Sequence, residues 1–354
     1  MTEITPFLKQ LLMLPGLSGN EAPVREAIAE VWRPLVDELS TSKLGSLHGL
    51  RRGKAPEPRP SILLAGHMDA IGLMVTGIVD GFLRVTEVGG VDPRILPGQP
   101  VTVHARRELA GVVVQLPDRL QPVARRRQAA DLGDLLVDTG LKPEEVKQLV
   151  KPGDMISFAT QPVELTGGML AGHSLDNRAA IAALTVCLQE LQSTCTDWDL
   201  WTVATVQEEE TLGGALTSPF VIRPSLAIAV DVTFGKGPGV SDYRGFAMDK
   251  GPSLGIGPNI HPYLYKTLKE TAEKLEMNVQ PEPMPAHSGT DATGMQVVAE
   301  GIPTAVIGIP LRYMHTPVEA VVLKDIERAG RLLARFVAQL TPDFLDKMRS
   351  EMLP

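Results

Sequence analysis

Apolar residues along this chain recur with two periods, one typical of helices and one typical of strands. Helical spacing predicts helices over residues 4–13, 18–39, 179–191, 261–277 and 323–340. Ser18 and Glu21 have the spacing of a capping box and would begin the second of these helices. Short apolar runs predict buried strands over residues 61–66, 201–207, 226–230 and 305–309. Strands that alternate with helices favour an α/β fold, and we predict a doubly wound mixed sheet flanked by helices.

The pattern changes between residues 73 and 164. Short runs of alternating apolar and polar residues lie there between Gly, Pro and Asp, which is typical of a small β-barrel or sandwich. We therefore predict an α/β domain formed by residues 1–72 and 165–354, interrupted by a β-rich domain formed by residues 73–164. The basic run Arg125-Arg126-Arg127 inside the insertion is more typical of a solvated loop than of a binding patch.

Composition narrows the class of protein. The 354 residues are 44% apolar and 21% charged, as in ordinary globular domains. The net charge of −8 argues against nucleic acids and anionic membranes as partners, since both attract basic surfaces. The N-terminus lacks the pattern of a signal peptide, and Cys187 and Cys195 form neither a metal motif nor a disulfide framework. We expect a soluble, cytoplasmic protein with buried, unreactive thiols.

Side chains that bind metals follow four of the predicted strands. Asp176 stands at the predicted start of the helix over residues 179–191. Open α/β sheets place their sites at the carboxyl ends of strands, so we expect these residues to meet. Their imidazoles and carboxylates suit zinc, cobalt or manganese better than calcium. In chain order, the residues that follow the strands are His67 and Asp69, Glu208 and Glu209, Asp231, and His315.

Each of these features has an ordinary explanation when it is taken alone. Asp176 could simply cap its helix, His67 and Asp69 could form a loop ion pair, and the acid pair could be a charged loop. Together they match a two-metal site, which needs a bridging carboxylate such as Asp176. Asp69 can orient the ring of His67. Because neighbouring side chains diverge, one acid of the pair Glu208 and Glu209 can bind metal while the other transfers a proton.

Other acids and histidines are not assigned to the site. Glu210, the third acid of its run, is expected to be exposed. We expect His48, His104 and His261 to be structural or exposed. His173 is expected to lie near the site without being a ligand, and the sequence assigns His287 to neither group.

Seven stretches spread over nearly the whole chain resemble the M42 metallo-aminopeptidases, a family that includes the TET peptidases and enzymes called glutamyl aminopeptidase or endoglucanase M. The chain departs from the family pattern at Glu210-Thr211, at Gly213 and at Ala180. These residues line or support the site, so the departures affect the expected substrate preference more than the expected metal ligands. The matching stretches are residues 65–69, 88–92, 175–178, 206–209, 231–233, 289–292 and 312–319.

The resemblance implies a dinuclear site with a defined role for each residue. Two divalent ions per subunit are implied, with zinc or cobalt first and manganese next. The implied ligands are His67, Asp176 and Asp231 for one ion and Asp176, Glu209 and His315 for the other, with Glu208 as general base and Asp69 as the residue that orients His67.

The implied activity is that of an aminopeptidase, which removes the N-terminal residue from peptides. The insertion resembles the family's extra β domain, which helps dimers to assemble into a hollow dodecamer. Three alternatives stay open: another metal-dependent amide hydrolase such as a deacylase, a glycosidase, which needs only the paired carboxylates, and a catalytically silent oligomeric scaffold.

Overall fold

The computed structural model of the protein describes residues 3–121, 123, 128–241 and 244–352. The basic run Arg125-Arg126-Arg127 lies outside these described residues. The α-helices are α1 (Ile4–Leu12), α2 (Ala22–Trp32), α3 (Pro143–Leu149), α4 (Leu175–Glu190), α5 (Glu208–Thr211), α6 (Gly213–Ile222), α7 (Pro262–Lys274), α8 (Asp291–Gln296), α9 (Leu323–Ala338) and α10 (Phe344–Met352).

The strands fall into two groups, which belong to two separate sheets. The first sheet contains β1 (Glu38–Thr41), β2 (Leu47–Arg51), β3 (Ser61–His67), β10 (Val163–Leu165), β11 (Met169–Gly172), β12 (Asp199–Thr205), β13 (Leu226–Phe234), β14 (Ser253–Ile256), β15 (Gln280–Pro283), β16 (Thr304–Arg312) and β17 (Glu319–Val322). The second contains β4 (Gly72–Val79), β5 (Phe82–Val88), β6 (Pro100–His104), β7 (Glu108–Gln115), β8 (Leu135–Asp138) and β9 (Met155–Phe158).

The first sheet is mixed, as predicted. Its order is β1-β2-β12-β3-β13-β16-β17-β11-β10, and β14 and β15 are attached beside β16. The central strands β12, β3, β13 and β16 are parallel, whereas β2 and β17 pair with them in the antiparallel direction. The carboxyl ends of the four parallel strands therefore lie at one edge, where an α/β sheet places its site.

Helices cover both faces of this sheet. Ile62 and Leu64 of β3 belong to a core that includes α1, α2, α4, α7 and α9, whereas Leu63 and Ala65 belong to a core that includes α6 and α8. Successive side chains of a strand point to opposite faces. Because both faces of β3 are buried, its sequence is a continuous apolar run rather than an alternating one.

The second sheet closes into a barrel with the order β4-β5-β8-β7-β6-β9. Its core is separate from that of the first sheet and includes Leu73, Val101 and Val113. The alternating pattern predicts either a barrel or a sandwich, and the structure is a barrel.

Two local predictions were wrong. α2 ends at Trp32 instead of continuing to residue 39, and a 3₁₀ turn (Arg33–Leu35) and β1 follow it. Pro34 lacks the N–H group that a further helical turn requires. Cys187 is buried as expected, but Cys195 is exposed because it lies in the loop before β12. Within the described ranges, every helix falls short of the length and apolar character that a bilayer span requires.

Candidate metal centre

The ends of the parallel strands place the predicted site residues close together. His67 is the last residue of β3, and Glu208 and Glu209 begin α5 just after β12. β3 and β12 are in register, so that Thr205 lies opposite His67. Asp231 lies inside β13 rather than after it, because that strand continues for three more residues. The strand ends therefore bring together side chains that are far apart in the sequence.

Asp176 lies between two imidazoles. Its Oδ1 is 3.2 Å from Nε2 of His67, and its Oδ2 is 3.4 Å from Nε2 of His315. Oδ1 of Asp231 is 3.8 Å from the same nitrogen of His67, and Oε2 of Glu209 is 3.7 Å from that of His315. All five residues line one cavity of about 290 Å³. The side chains thus form two groups that share Asp176.

The backbone of Asp176 explains why its side chain faces the cavity and not its own helix. Its φ and ψ angles of −78° and 102° are not helical, and the start of α4 has no side-chain cap. The ordinary explanation of this carboxylate as a helix cap therefore does not apply.

Burial and crowded negative charge determine the protonation of the cavity. Burial raises the pKa of Glu208 to about 8 and raises the pKa values of Glu209 and Asp231 well above their usual range, and neighbouring carboxylates add to this effect. Burial also opposes ionisation of Asp176, but hydrogen bonds from two imidazoles outweigh it and lower the pKa. For His67, burial opposes protonation, yet the nearby carboxylates, Glu208 foremost, raise its pKa well above the usual value.

The donor set fits divalent cations. Ligand atoms of His67, Asp176 and Glu209 all lie within 4.8 Å of one another. Oε1 of Glu209 is buried and has no hydrogen-bond partner among the described residues. Buried carboxylates at such close range are costly unless a cation neutralises them. Imidazoles and carboxylates together suit zinc, cobalt or manganese.

Asp69 contacts both His67 and the acid pair. Nδ1 of His67 is 3.2 Å from the Asp69 carbonyl oxygen and 3.4 Å from Oδ1 of its carboxylate. The same carboxylate accepts hydrogen bonds from the backbone N–H groups of Glu208 at 3.0 Å and Glu209 at 3.2 Å. It also accepts one from the Ser18 hydroxyl at 2.6 Å. Sequence reasoning anticipated a contact with the His67 ring, but not the contacts with the other three residues.

Two buried acids near the cavity were not singled out from the sequence. Glu319 accepts hydrogen bonds from the backbone N–H groups of Asp176 and His315 at 3.0 and 2.9 Å. Asp291 accepts one from the Thr205 hydroxyl at 2.5 Å, and burial raises its pKa to about 6. A buried acid at the start of an apolar strand, as in Glu319-Ala320-Val321-Val322, is the signal that could have identified Glu319.

The loop after β5 approaches the cavity closely. A Cβ atom on Gly90 would come within 2.9 Å of Nδ1 of His315, so a larger residue at this position would displace the His315 ring. Glu210 is exposed, as expected, and accepts a hydrogen bond from the Gly89 backbone N–H at 2.7 Å. This hydrogen bond therefore connects the acid run with the loop after β5.

Most of the remaining histidines have partners away from the ligand groups. His48 contacts the Ser218 hydroxyl at 2.9 Å, and His104 contacts that of Ser157 at 2.8 Å. His173 is buried against the Ser174 hydroxyl at 2.6 Å. His287, which the sequence left ambiguous, is exposed and lines the cavity.

The fold and the cavity together define a class of protein: α/β enzymes whose site is rich in imidazoles and carboxylates and lies at the carboxyl ends of parallel strands. Comparison with known proteins specifies the class further. The family model of M42 glutamyl aminopeptidase matches residues 45–332. Lysyl aminopeptidase of Pyrococcus furiosus is 36% identical over 347 residues, which cover 95% of this chain and 97% of the relative.

Solved structures agree with this match. The TET aminopeptidase from the marine sediment archaeon Thaumarchaeota archaeon SCGC AB-539-E09 superposes with a TM-score of 0.92 at 29% identity and covers 98% of each chain. The Pyrococcus horikoshii TET1 peptidase, which can assemble into a tetrahedron or a large octahedral shell, has a TM-score of 0.84 at 29% identity and covers 96% of this chain and 100% of the other.

The chain therefore belongs to the M42 glutamyl aminopeptidase family and is a hydrolase of the aminopeptidase class. The family resemblance and the fold class that the sequence predicts are both confirmed.

Proposed function

We propose that this chain is a dinuclear metal-dependent aminopeptidase that removes the N-terminal residue from peptides. The observation that carries the proposal is the position of Asp176, whose two oxygens face the imidazoles of His67 and His315. A carboxylate in this position can bridge two cations about 3.5–4 Å apart. Asp231 lies on the His67 side and Glu209 on the His315 side, so each cation would have its own terminal ligands.

The proposed ligands of the first ion are His67, Asp176 and Asp231, and those of the second are Asp176, Glu209 and His315. Zinc or cobalt is the proposed metal, with manganese next. Bound divalent ions would polarise the scissile carbonyl and lower the pKa of the attacking water toward about 7.

Glu208 is the proposed proton carrier. It lies in the same cavity, with its Oε2 3.8 Å from Nε2 of His67, and neither proposed ligand set requires it. Burial raises its pKa to about 8, whereas adjacent cations would lower it again. A carboxylate whose pKa is subject to these two opposing effects can accept a proton from the attacking water and donate it to the leaving amine. Asp69 would hold both the His67 ring and the turn that carries Glu208.

The variant Glu208→Gln tests this assignment. It should bind both ions and lose at least about 100-fold in kcat on aminoacyl-p-nitroanilides, because the amide cannot transfer the proton. Glu210→Gln is the matched control, since Glu210 is exposed and the amide oxygen can still accept from Gly89. Turnover by Glu208→Gln at the wild-type rate would refute the role.

A substrate panel separates the alternative activities. Aminoacyl-p-nitroanilides, N-acyl amino acids and β-glucan oligosaccharides should be assayed with and without EDTA. The proposal predicts hydrolysis of the first group alone and its loss with EDTA. Hydrolysis of N-acyl amino acids would indicate a deacylase. Cleavage of the glucans that resists EDTA would indicate a glycosidase, and inactivity on every substrate would indicate a scaffold.

The proposal extends to domains and assembly. Residues 1–72 and 165–354 would form the catalytic domain, and residues 73–164 a domain that assists assembly of dimers into a dodecamer. The assembly of the Pyrococcus horikoshii relative and the exposed apolar residues Phe220 and Val221 on α6 support a homo-oligomer. A cytoplasmic location is proposed with it, supported by two cysteines that are both unpaired.

A further inference from the structure

We infer that Ser18 and Glu21, in the loop between α1 and α2, are positioning residues that fix the turn carrying Glu208 and Glu209. The inference rests on the proposed function, because it takes these two acids as the residues that carry protons and bind metal. The inference concerns the backbone of Glu208 and Glu209, which sets the direction of their side chains.

Three consecutive backbone N–H groups of this turn donate to two buried carboxylates. The N–H of Gln207 donates to Oε1 of Glu21 at 3.2 Å. Those of Glu208 and Glu209 donate to the two oxygens of Asp69 at 3.0 and 3.2 Å. Gln207 has a left-handed backbone with a φ of +56°, so the chain turns sharply here. The two carboxylates therefore form a clamp around a turn that is not part of a regular strand or a long helix.

Residues of the loop between α1 and α2 hold both carboxylates of the clamp in place. The Ser18 hydroxyl donates to Oδ2 of Asp69 at 2.6 Å, and Glu21 accepts a second hydrogen bond from the Gly19 N–H at 2.7 Å. Ser18 and Glu21 are 8% and 5% exposed. Each side chain thus reaches a partner that is far away in the sequence, and water does not compete for these hydrogen bonds.

The capping-box interpretation does not account for these two residues. α2 begins at Ala22, and Glu21 stands at its N-cap position without a side-chain capping bond. The Ser18 hydroxyl instead donates to Asp69, and the Glu21 carboxylate accepts from the backbone N–H groups of Gly19 and Gln207. Ser18 and Glu21 therefore connect the loop between α1 and α2 with Asp69 and with the turn at Gln207, and do not cap α2.

The clamp determines where the two acidic side chains lie. Glu208 and Glu209 face different parts of one cavity, and their directions follow from the backbone that carries them. Residues that orient metal ligands typically contribute 10- to 100-fold to affinity or activity, and a misplacement of about 1 Å can cost about 100-fold in rate. Loss of Ser18 or Glu21 should therefore affect kcat more than substrate binding.

Steady-state kinetics of four variants test the inference. Ser18→Ala and Glu21→Ala should each lower kcat about 10- to 100-fold and leave KM within about twofold. Glu21→Gln should remain close to the wild type, because its amide oxygen can accept from both Gly19 and Gln207. Glu145→Ala is the control, since Glu145 also accepts from a backbone N–H, that of Lys142, but on α3, which lies between β8 and β9 in the sequence.

Hydrogen exchange of the metal-free protein gives a readout that does not depend on catalysis. The backbone amides of residues 207–209 should exchange about tenfold faster or more in Ser18→Ala and Glu21→Ala than in the wild type or Glu145→Ala. Glu21→Ala removes the acceptor of the Gln207 amide. Ser18→Ala removes the hydrogen bond that holds Asp69, which is the acceptor of the Glu208 and Glu209 amides. If Ser18→Ala does not fold, the comparison of Glu21→Ala with Glu21→Gln decides.

Wild-type kcat and wild-type exchange in both alanine variants would overturn the inference, as would an equal loss of kcat in Glu145→Ala. A wild-type protein without peptidase activity would instead contradict the proposed function, and the exchange rates would still decide whether the clamp exists.

Discussion

At the residue scale, Glu319 holds the backbone of two neighbouring cavity residues, Asp176 and His315. Its two oxygens accept from the backbone N–H groups of Asp176 and His315, and only 1% of the residue is exposed. Burial and the nearby charge of Asp176 raise its pKa well above the usual range. The hydrogen bonds from the two N–H groups lower the pKa and offset part of this cost.

Glu319→Gln is predicted to weaken cation binding about 10- to 100-fold. The glutamine offers one acceptor and one donor group, so one of the two N–H groups loses its acceptor. Zinc titration of the metal-free variant and of the exposed control Glu145→Gln should show this difference. Equal affinity in Glu319→Gln and the wild type would contradict the role of this carboxylate.

The sequence predicts the residues of the cavity far better than the residues that support them. His67, Glu208 and His315 stand at or just beyond the ends of apolar runs, and strand ends in an α/β sheet meet at one edge. Ser18, by contrast, lies 51 residues from its partner Asp69, and no local period encodes that distance. Its spacing to Glu21 even indicated a different structure.

At the element scale, α4 and α9 pack closely against each other. Residues 175–188 of α4 are all buried, and α9 packs against this helix at close range. A Cβ atom on Gly330 would lie 2.5 Å from the Ala183 carbonyl oxygen and 2.6 Å from Cβ of Val186. The helical period predicts both helices, but it does not predict this close approach, since that depends on how the two helices cross.

Gly330→Ala is predicted to destabilise the protein by about 1–3 kcal/mol. The methyl group would force α9 away from α4, and this cost should exceed the gain of about 1 kcal/mol that alanine brings to a helix interior. Chemical unfolding measures the change. Gly133→Ala is the control, since nothing lies within 4 Å of the added atom, and equal stability of the two variants would contradict the packing argument.

At the scale of the whole molecule, two separate cores correspond to two kinds of sequence pattern. Continuous apolar runs form the central strands of the large sheet, and alternating runs form the barrel with its own core. Periodicity is sufficient to distinguish them, because burial on both faces and burial on one face leave different patterns. The hairpin of β1 and β2 was not predicted, since its strands are short and follow directly on a helix.

The apolar surface of α6 predicts that the protein is a homo-oligomer in solution. Phe220 and Val221 are 57% and 73% exposed, and such residues are commonly covered in an assembly. Light scattering should give a mass several times that of one chain, and Val221→Glu should lower it because a charge would be buried in the interface. A wild-type mass of 38.1 kDa, that of one chain, would contradict the prediction.

The most direct test of the two-metal account is a calorimetric titration of zinc into the metal-free protein. The wild type should bind two ions per chain, and His315→Ala should bind one tightly, because it keeps His67, Asp176 and Asp231 and loses a ligand of the second ion. A wild type that binds a single ion, or a His315→Ala variant that binds two with wild-type affinity, would show that the carboxylate of Asp176 does not bridge a pair of cations.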